Sequence, residues 1–201
     1  GWFPDKFLYR ADRDSYDYVY SVDDLADLKG RKFQKKRNHV NRFRAEHSQF
    51  ELQNLTDGNF SAAQRMVGEW YRARMQADPT GDYMMESIAM SRAFRHYEGL
   101  QMESAVLVEN GEILAVTMGS RLWSDTFDIH FEKAREDVDG AYAAVNCEFA
   151  RYLRLKYPNL RYLNREDDVG LAGLRKAKLS YNPHHMVEKS WAYLAEDFHG
   201  D

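Results

Sequence analysis

Cysteine is almost absent from this sequence, in which Cys147 is the only one among 201 residues. A single cysteine excludes an internal disulfide bond and a cysteine-rich metal centre. Cys147 falls within a helical pattern of apolar residues, which favours a small core residue over a nucleophile. Together with the lack of a signal-peptide pattern, this cysteine usage predicts a reducing, cytoplasmic setting.

Long apolar runs are also lacking, since no run approaches the ~18 residues that a membrane-spanning helix needs. The motifs GxSxG and GxGxxG and the P-loop do not occur either. The seven histidines are scattered, and the adjacent His184 and His185 would point to opposite sides of a strand. The sequence therefore predicts no metal site.

Net charge is small, at −4, so no whole-molecule field attracts nucleic acid. The charge is unevenly distributed, however, because residues 29–44 contain eight Lys or Arg and no acid. Like charges four residues apart repel each other on a helix. This basic helix is either an ordinary exposed helix or a surface for an anionic partner such as phosphate, and Lys35, Arg37 and Asn38 are its candidate binding residues.

Periodicity and turn chemistry predict a mixed α/β fold with a largely antiparallel sheet. The clearest signal is a hairpin of strands 104–109 and 113–118 around Asn110-Gly111. Other strands are predicted at 17–20, 50–55, 127–132, 162–163 and 187–194. A helix opens at Gly140 and ends near Pro158.

The stretch from Tyr162 to Tyr193 concentrates acids and bases beside apolar residues. A polar turn runs from Asn164 to Asp168, and Gly170 and Gly173 allow close backbone approach to a ligand. Basic side chains follow at Arg175, Lys176 and Lys178. Three interpretations stay open for this stretch: a functional site, a solvated loop, and a structural brace whose polar groups satisfy one another.

Alternation along residues 127–133 places Asp128, His130 and Glu132 on one face of a strand. His130 and Glu132 are then candidates for an acid–base pair. The same pattern is compatible with a satisfied polar network under the following helix, which carries Asn146.

Four segments together resemble one family: IHFEKA at 129–134, GAYAAVNCEF at 140–149, NREDDVGLAGLRKAKLSYNP at 164–183 and KKRNHVNRF at 35–43. They resemble the phosphatidylglycerol lysyltransferase C-terminal domain family, in its uncharacterised bacterial branch without membrane spans. The resemblance implies a GNAT-like acyl-CoA N-acyltransferase fold, usually present as two tandem copies. The family is similar to Fem-type aminoacyltransferases, which take an acyl group from aminoacyl-tRNA.

On this resemblance, residues 49–201 are expected to form the GNAT-like domain. Residues 1–48 would be a linker segment and basic helix connected to a first copy. Because the chain opens with Gly1-Trp2-Phe3-Pro4 rather than Met, it is expected to be the C-terminal part of a longer bacterial protein.

The resemblance also implies roles for individual residues. The reacting pocket is expected to contain His130, Glu132, Asn164 and Arg165. Anion or substrate binding is expected from a second, mostly basic set: Lys35, Arg37, Asn38, Lys133, Gly140, Asn146, Arg175, Lys176 and Lys178.

The expected reaction moves an activated acyl group to an amine or hydroxyl acceptor, with aminoacyl-tRNA as the donor. Relatives that use acetyl-CoA carry a Q/R-x-x-G-x-G/A loop, whereas residues 135–141 here have Val138 in place of the first glycine and contain three acids. Each acid would repel a pyrophosphate by roughly 1 kcal/mol, which disfavours acetyl-CoA. Two alternatives stay open: a non-catalytic RNA- or anion-binding module, and an acetyl-CoA-dependent acetyltransferase. The expected partners are tRNA, a phosphate-bearing small molecule or a lipid headgroup, and a membrane-peripheral position is left open.

Overall fold

The computed structural model describes residues 6–79, 81 and 83–195. The strands are β1 (Phe7–Ala11), β2 (Asp17–Ser21), β3 (Glu51–Asn54), β4 (Glu103–Glu109), β5 (Glu112–Arg121), β6 (Thr126–Ala134), β7 (Tyr162–Asn164), β8 (His185–Val187) and β9 (Ser190–Leu194). The helices are α1 (Val22–Asp27), α2 (Gln34–Glu46), α3 (Asp57–Ala77), α4 (Tyr83–His96), α5 (Ala141–Lys156) and α6 (Ala172–Leu179).

Seven strands form one sheet in the order β3-β4-β5-β6-β7-β2-β8. All neighbours are antiparallel except β6 and β7, which are parallel and are connected through α5. The predicted mixed, mainly antiparallel sheet flanked by helices is therefore confirmed.

Local chemistry explains several element boundaries. Ser21 caps α1 by accepting a hydrogen bond from the backbone of Asp24, and Thr56 with Asn59 forms a capping box at the start of α3. Asn110 and Gly111 both have positive φ, at 51° and 82°, as a type I′ hairpin turn requires. The hairpin predicted from these two residues is confirmed.

The sheet separates two apolar layers. On one face, α1 and α5 cover β2, β6 and β7, with Tyr20, Phe127, Phe149 and Leu163 fully buried. On the other face, α3 and α4 cover β4 and β5 through a second cluster that includes Met90. These two layers fix the positions of the strands that carry the candidate site.

Residues before 48 contribute directly to the main sheet and its helical cover. Strand β2 pairs with β7 on one side and β8 on the other, while α1 and α2 pack against α5. The division of the chain at residue 48 stays a prediction, but these elements share layers with the rest of the described chain.

The single strand predicted at 187–194 is wrong in its extent. Two strands occupy this region: β8 pairs with β2, and β9 pairs with β1 in a separate two-stranded sheet. Lys189, between them, ion-pairs with Asp17 at 2.5 Å and accepts a hydrogen bond from the backbone of Asp12. These contacts direct the chain out of the main sheet before β9 begins.

Candidate functional site

The pairing between strands β6 and β7 is short and leaves a gap in the middle of the sheet. Their parallel pairing ends at Asp128 and Asn164, where β7 stops, whereas β6 continues to Ala134. The gap is bridged by side chains: Arg165 donates to Glu132 at 2.7 Å. The two side chains are only 15% and 9% exposed, respectively, so this ion pair is largely withdrawn from water.

Helix α5 and two tyrosines complete the walls of the gap. Asn146, from α5, lies 3.4 Å from the second carboxylate oxygen of Glu132. The guanidinium of Arg165 lies 5.8 Å from the ring centre of Tyr20 and 5.2 Å from that of Tyr181. Burial raises the pKa of Tyr181 to about 12, so its hydroxyl stays protonated at neutral pH. Predicted site residues Glu132, Asn146 and Arg165 are thus brought together.

Two lysines flank this ion pair. Lys178 donates to the backbone carbonyls of Arg165 and Glu166, and Lys36 lies 3.9 Å from the ring centre of Tyr181. Burial, together with the nearby Arg165 charge, lowers the pKa of each lysine to about 8. Within the described part of the chain both ammonium groups contact neutral partners, so neither charge is matched by a carboxylate in the way that Arg165 is.

Asn164 holds the turn behind this pocket. Its amide donates to Asp17 at 3.0 Å, and its side-chain oxygen accepts from the backbone N–H of Glu166 at 2.9 Å. It is buried, so the structure gives it contacts with the turn and with β2.

Arg175 binds two carboxylates. Its guanidinium makes two hydrogen bonds to Asp168, at 2.8 and 2.9 Å, and one to Asp14 at 2.6 Å. Asp168 also accepts from the hydroxyl of Tyr18. An anion-binding role for Arg175 stays a prediction, but here its donors stabilise the turn that follows β7.

The remaining predicted basic residues lie in different places. Arg37 donates to the carbonyls of Leu28 and Gly30 at the end of α1. Lys133 is buried, donates to Glu86 at 2.6 Å and lies 4.4 Å from the ring centre of Trp70. Lys176 is exposed on α6.

Lys35 and Asn38 are exposed on α2, where they line a shallow surface depression with His39 and Arg42. This depression contains Lys35 and Asn38, two of the residues predicted to bind an anion. It is formed by side chains of one helix rather than by the strand gap.

Gly140 packs the start of α5 against α2. Its φ is +81°, and an added Cβ would lie 2.8 Å from the carbonyl oxygen of His39. The three acids of the preceding loop are each paired with arginine: Asp137 with Arg135, Glu136 with Arg74 and Asp139 with Arg42. The loop is therefore less repulsive to anions than its sequence suggests, but α2 covers the first turn of α5.

The prediction that Asp128, His130 and Glu132 share one face of β6 is wrong. A bulge opposite Gly119 interrupts the pairing, so that Met118 faces Phe131 and Gly119 faces Ile129. Ile129 consequently packs in the α5-side layer and Phe131 in the α3-side layer. Glu132 turns towards Asn146 on α5, and His130 has other partners.

His130 lies among Ser120, Asp128 and Glu166. Its Nε2 is 2.9 Å from the Ser120 hydroxyl, and its Nδ1 is 3.0 Å from a Glu166 carboxylate oxygen. The contact with Glu166 raises the pKa of His130. Burial, reinforced by the charge of Glu166, raises the pKa of Asp128 to about 6. The carboxylates beside His130 are thus those of Glu166 and Asp128, whereas Glu132 pairs with Arg165.

The expectation for His184 and His185 is also wrong. Their Nδ1 atoms lie 2.9 Å apart, and both rings contact Tyr162. His184 precedes the first residue of β8, so strand alternation does not apply to the pair.

Sequence reasoning missed Lys36, Tyr20 and Tyr181 as pocket residues. Lys36 belongs to the basic run but is half-buried, unlike Lys35 beside it. The helical period could have distinguished these two lysines, because Lys36 lies four residues before the buried Val40 and so on the same face of α2. The pairing of strand β2 with β7 is needed to place the tyrosines.

Helices of membrane-spanning length and apolarity do not occur in the described ranges of the chain. The family model described as "Phosphatidylglycerol lysyltransferase, C-terminal" matches residues 3–193. The chain belongs to this family.

Solved structures of other proteins also resemble this chain. A conserved protein of unknown function from Bacteroides thetaiotaomicron is 40% identical and superimposes with a TM-score of 0.88, over 96% of this chain and 64% of that chain. L-PGS from Bacillus licheniformis is 16% identical with a TM-score of 0.68, over 96% and 63% of the two chains, which shows a shared fold.

Among curated proteins, an uncharacterized protein of Mycoplasmoides gallisepticum is 23% identical over 176 residues, which are 87% of this chain and 55% of that protein. The chain therefore spans between about half and two thirds of the length of these relatives.

Proposed function

We propose that this chain is an acyl-transfer domain that moves an activated acyl group, carried by an aminoacyl-tRNA-type donor, to an amine or hydroxyl acceptor. The observation that carries the proposal is the gap between β6 and β7, which holds the Arg165–Glu132 ion pair with Lys36 and Lys178 beside it. A cytoplasmic location is part of the same proposal.

The charge of the pocket suits a donor that carries phosphate and develops an oxyanion. Lys36 and Lys178 are partly withdrawn from water and contact neutral groups, so an incoming anion would offset the cost of their partial burial. Fixed cations in a site of low water content also stabilise an ester oxyanion more strongly than they would in water.

The reaction needs no covalent intermediate on the protein, because the donor ester is already activated. The acceptor nitrogen or oxygen attacks the ester carbonyl, a tetrahedral oxyanion forms, and the donor hydroxyl leaves with a proton. A lysine with a pKa of about 8 is partly neutral near that pH and can take the acceptor proton. In this proposal Lys178 relays the proton, Arg165 stabilises the oxyanion, and Glu132 orients Arg165.

The donor class is supported by the family description, which names a lysyltransferase. It is also supported by the packing of α2 on the first turn of α5, with Gly140 against the carbonyl of His39. Acyl-CoA enzymes of this fold place pyrophosphate at the corresponding helix start, as the resemblance implies. That position is covered here, so acetyl-CoA is the less favoured donor.

The other predicted residues take supporting roles in this proposal. Asn164 and Arg175 hold the turn that carries Arg165, and Asn146 orients Glu132. Lys35, Arg37 and Asn38 contribute positive or polar surface on α2, at a distance from the reacting carbonyl.

The test is a single-turnover transfer assay with lysyl-tRNA, in parallel with binding titrations of lysyl-tRNA, uncharged tRNA and acetyl-CoA. Lys178→Ala should weaken binding of charged tRNA and lower transfer at least about tenfold, since a positioned general base contributes roughly 10²–10⁴-fold. Lys176→Ala is the matched control, because Lys176 lies on the same helix but is exposed, and this proposal, unlike the expectation from the sequence, gives it no role in binding. It should leave both readouts unchanged.

Two outcomes would contradict the proposal. Tight acetyl-CoA binding, with no preference for charged over uncharged tRNA, would assign the pocket to an acetyltransferase. Equal losses from Lys178→Ala and Lys176→Ala would show that general surface charge, rather than the gap, binds the ligand.

A second candidate is a non-catalytic RNA-binding module, favoured by the exposed basic face of α2 around Lys35 and Arg42. The affinity of such a surface for RNA falls steeply with salt and does not change when residues of the gap are substituted. Glu132→Gln distinguishes the two functions: it should lower transfer by the proposed enzyme and leave RNA affinity of the module unchanged.

A further inference from the structure

Three side chains of the kinds that bind metals converge beside the gap. Asp128 and His130 lie two residues apart on β6, and Glu166 lies in the turn after β7. One ligand atom from each lies within 4.8 Å of the other two. His130 Nδ1 is 3.0 Å from Glu166 Oε1 and 3.9 Å from Asp128 Oδ2.

One carboxylate oxygen in this group lacks a partner. Asp128 Oδ1 is buried and accepts no hydrogen bond from any residue in the described ranges. A buried carboxylate oxygen without a donor costs free energy. A cation held by both oxygens of Asp128, Oδ1 as well as the Oδ2 that faces His130, would remove that cost. This observation is independent of the proximity of the three side chains.

A hydrogen bond with Ser120 fixes the orientation of the His130 imidazole. The Ser120 hydroxyl lies 2.9 Å from Nε2, so Nδ1 is the ring nitrogen that faces both carboxylates. A second hydrogen bond of this kind, which fixes ring orientation and tautomer, accompanies most metal-bound histidines. When Nε2–H donates to Ser120, the lone pair of Nδ1 is directed at the carboxylates and is available to an ion.

We propose that Asp128, His130 and Glu166 form a binding site for one divalent transition-metal ion. One imidazole and two carboxylates suit Zn²⁺ or Mn²⁺ better than Mg²⁺, which favours oxygen ligands and keeps its water. In a tetrahedral Zn²⁺ site, bonds of about 2.0–2.1 Å place ligand atoms about 3.3 Å apart. The two distances from His130 Nδ1 bracket that value, and water would complete the coordination.

The ion would fasten β6 to the turn that carries the pocket. Glu166 supplies the side-chain ligand, and its backbone carbonyl accepts from Lys178 at 3.2 Å. Metal binding would therefore order the residues that position Lys178. The site itself stands on its own ligands and does not depend on the proposed transfer reaction.

The experiment uses the full chain after dialysis against a chelator, followed by calorimetric titration with ZnCl₂, MnCl₂ and MgCl₂. Metal content after gel filtration is measured by mass spectrometry. We expect one Zn²⁺ or Mn²⁺ per chain, a higher Tm in its presence, and much weaker Mg²⁺ binding. Asp128→Asn and Glu166→Gln should each weaken binding at least about tenfold, with circular dichroism showing that both variants are folded.

The matched control removes the other place where histidine nitrogens meet. His184 and His185 are exposed, with Nδ1 atoms 2.9 Å apart, and the double variant His184→Ala/His185→Ala should retain full affinity. The proposal is overturned by metal binding that survives Asp128→Asn and Glu166→Gln, or that disappears in the His184/His185 variant. It is equally overturned if the folded wild type binds neither Zn²⁺ nor Mn²⁺ saturably.

Discussion

At the scale of single residues, the Arg165–Glu132 ion pair has the largest consequences, because both charges are withdrawn from water. Removing one member leaves the other buried and unpaired. We expect Arg165→Ala to lower the free energy of unfolding by about 3 kcal/mol, measured by urea denaturation at pH 7.

The control for this prediction is the double variant Arg165→Met/Glu132→Leu. It leaves no buried charge, so it should lose less stability than Arg165→Ala alone. A loss below about 1 kcal/mol for Arg165→Ala would mean that Glu132 is hydrated, contrary to its low exposure.

Asp168 couples stability to pH. The Arg175 guanidinium, assisted by the Tyr18 hydroxyl, holds the pKa of Asp168 far below its usual range. A carboxyl whose folded pKa lies below its unfolded pKa of about 3.9 stabilises the fold at higher pH. That contribution is lost as pH falls through about 4 and towards the folded value.

We therefore expect Asp168→Asn to be less stable than wild type at pH 7, with the difference shrinking at pH 3 and below. Urea midpoints at both pH values measure it. Asp167→Asn is the matched control: burial raises the pKa of Asp167, so its neutralisation should not cost stability at pH 7. A constant difference between wild type and Asp168→Asn across this pH range would contradict the assignment.

At the scale of elements, the β5–β6 bulge depends on Gly119. A Cβ at Gly119 would lie 2.5 Å from a ring carbon of Phe127 and closer still to the backbone carbonyl of Asp128. Because these neighbours belong to the adjacent strand, they cannot move aside cheaply. We expect Gly119→Ala to destabilise the protein by about 1–3 kcal/mol, measured by thermal and urea denaturation.

Gly68 provides the contrasting control. It lies inside α3 with open space at its Cβ position, so Gly68→Ala should stabilise the protein by about 0.5–1 kcal/mol. Equal effects from the two substitutions would show that the bulge tolerates a side chain.

The same elements show what the sequence could and could not predict. The Asn110-Gly111 hairpin and α5 follow from local turn chemistry and apolar period, and both were predicted. The bulge at His130 depends on how β6 aligns with β5, which no local pattern encodes. The placement of Glu132 and His130 on different sides of the sheet was missed for that reason.

The pocket shows a similar limit. Arg165 and Lys178 stand out by charge beside apolar residues, and they were predicted. Lys36 was not, since its burial arises from packing of α2 near Tyr181 at the other end of the chain. The group of Asp128, His130 and Glu166 was missed because it joins a strand to a turn that follows a different strand.

At the scale of the whole molecule, residues 1–48 are needed for the main sheet. They supply β2, the neighbour of both β7 and β8, and five core residues of the α5-side layer, from Tyr18 to Ala26. We expect a chain of residues 49–201 to lack a cooperative unfolding transition and a near-ultraviolet circular dichroism signal.

A chain that begins at Asp12 is the control, because it removes β1, the partner of β9 alone. It should unfold cooperatively. Cooperative folding of residues 49–201 with a dispersed NMR spectrum would instead support a domain boundary at residue 48.

The position of β2 also affects how the sheet forms during protein synthesis. This strand leaves the ribosome well before its sheet neighbours β7 and β8, which begin at Tyr162 and His185. At about 5–20 residues per second, the apolar DYVY segment waits on the order of ten seconds for its partners. During that interval a nascent chain exposes an unpaired apolar strand, so chaperone occupancy and translation speed should decide how much of it reaches the native sheet.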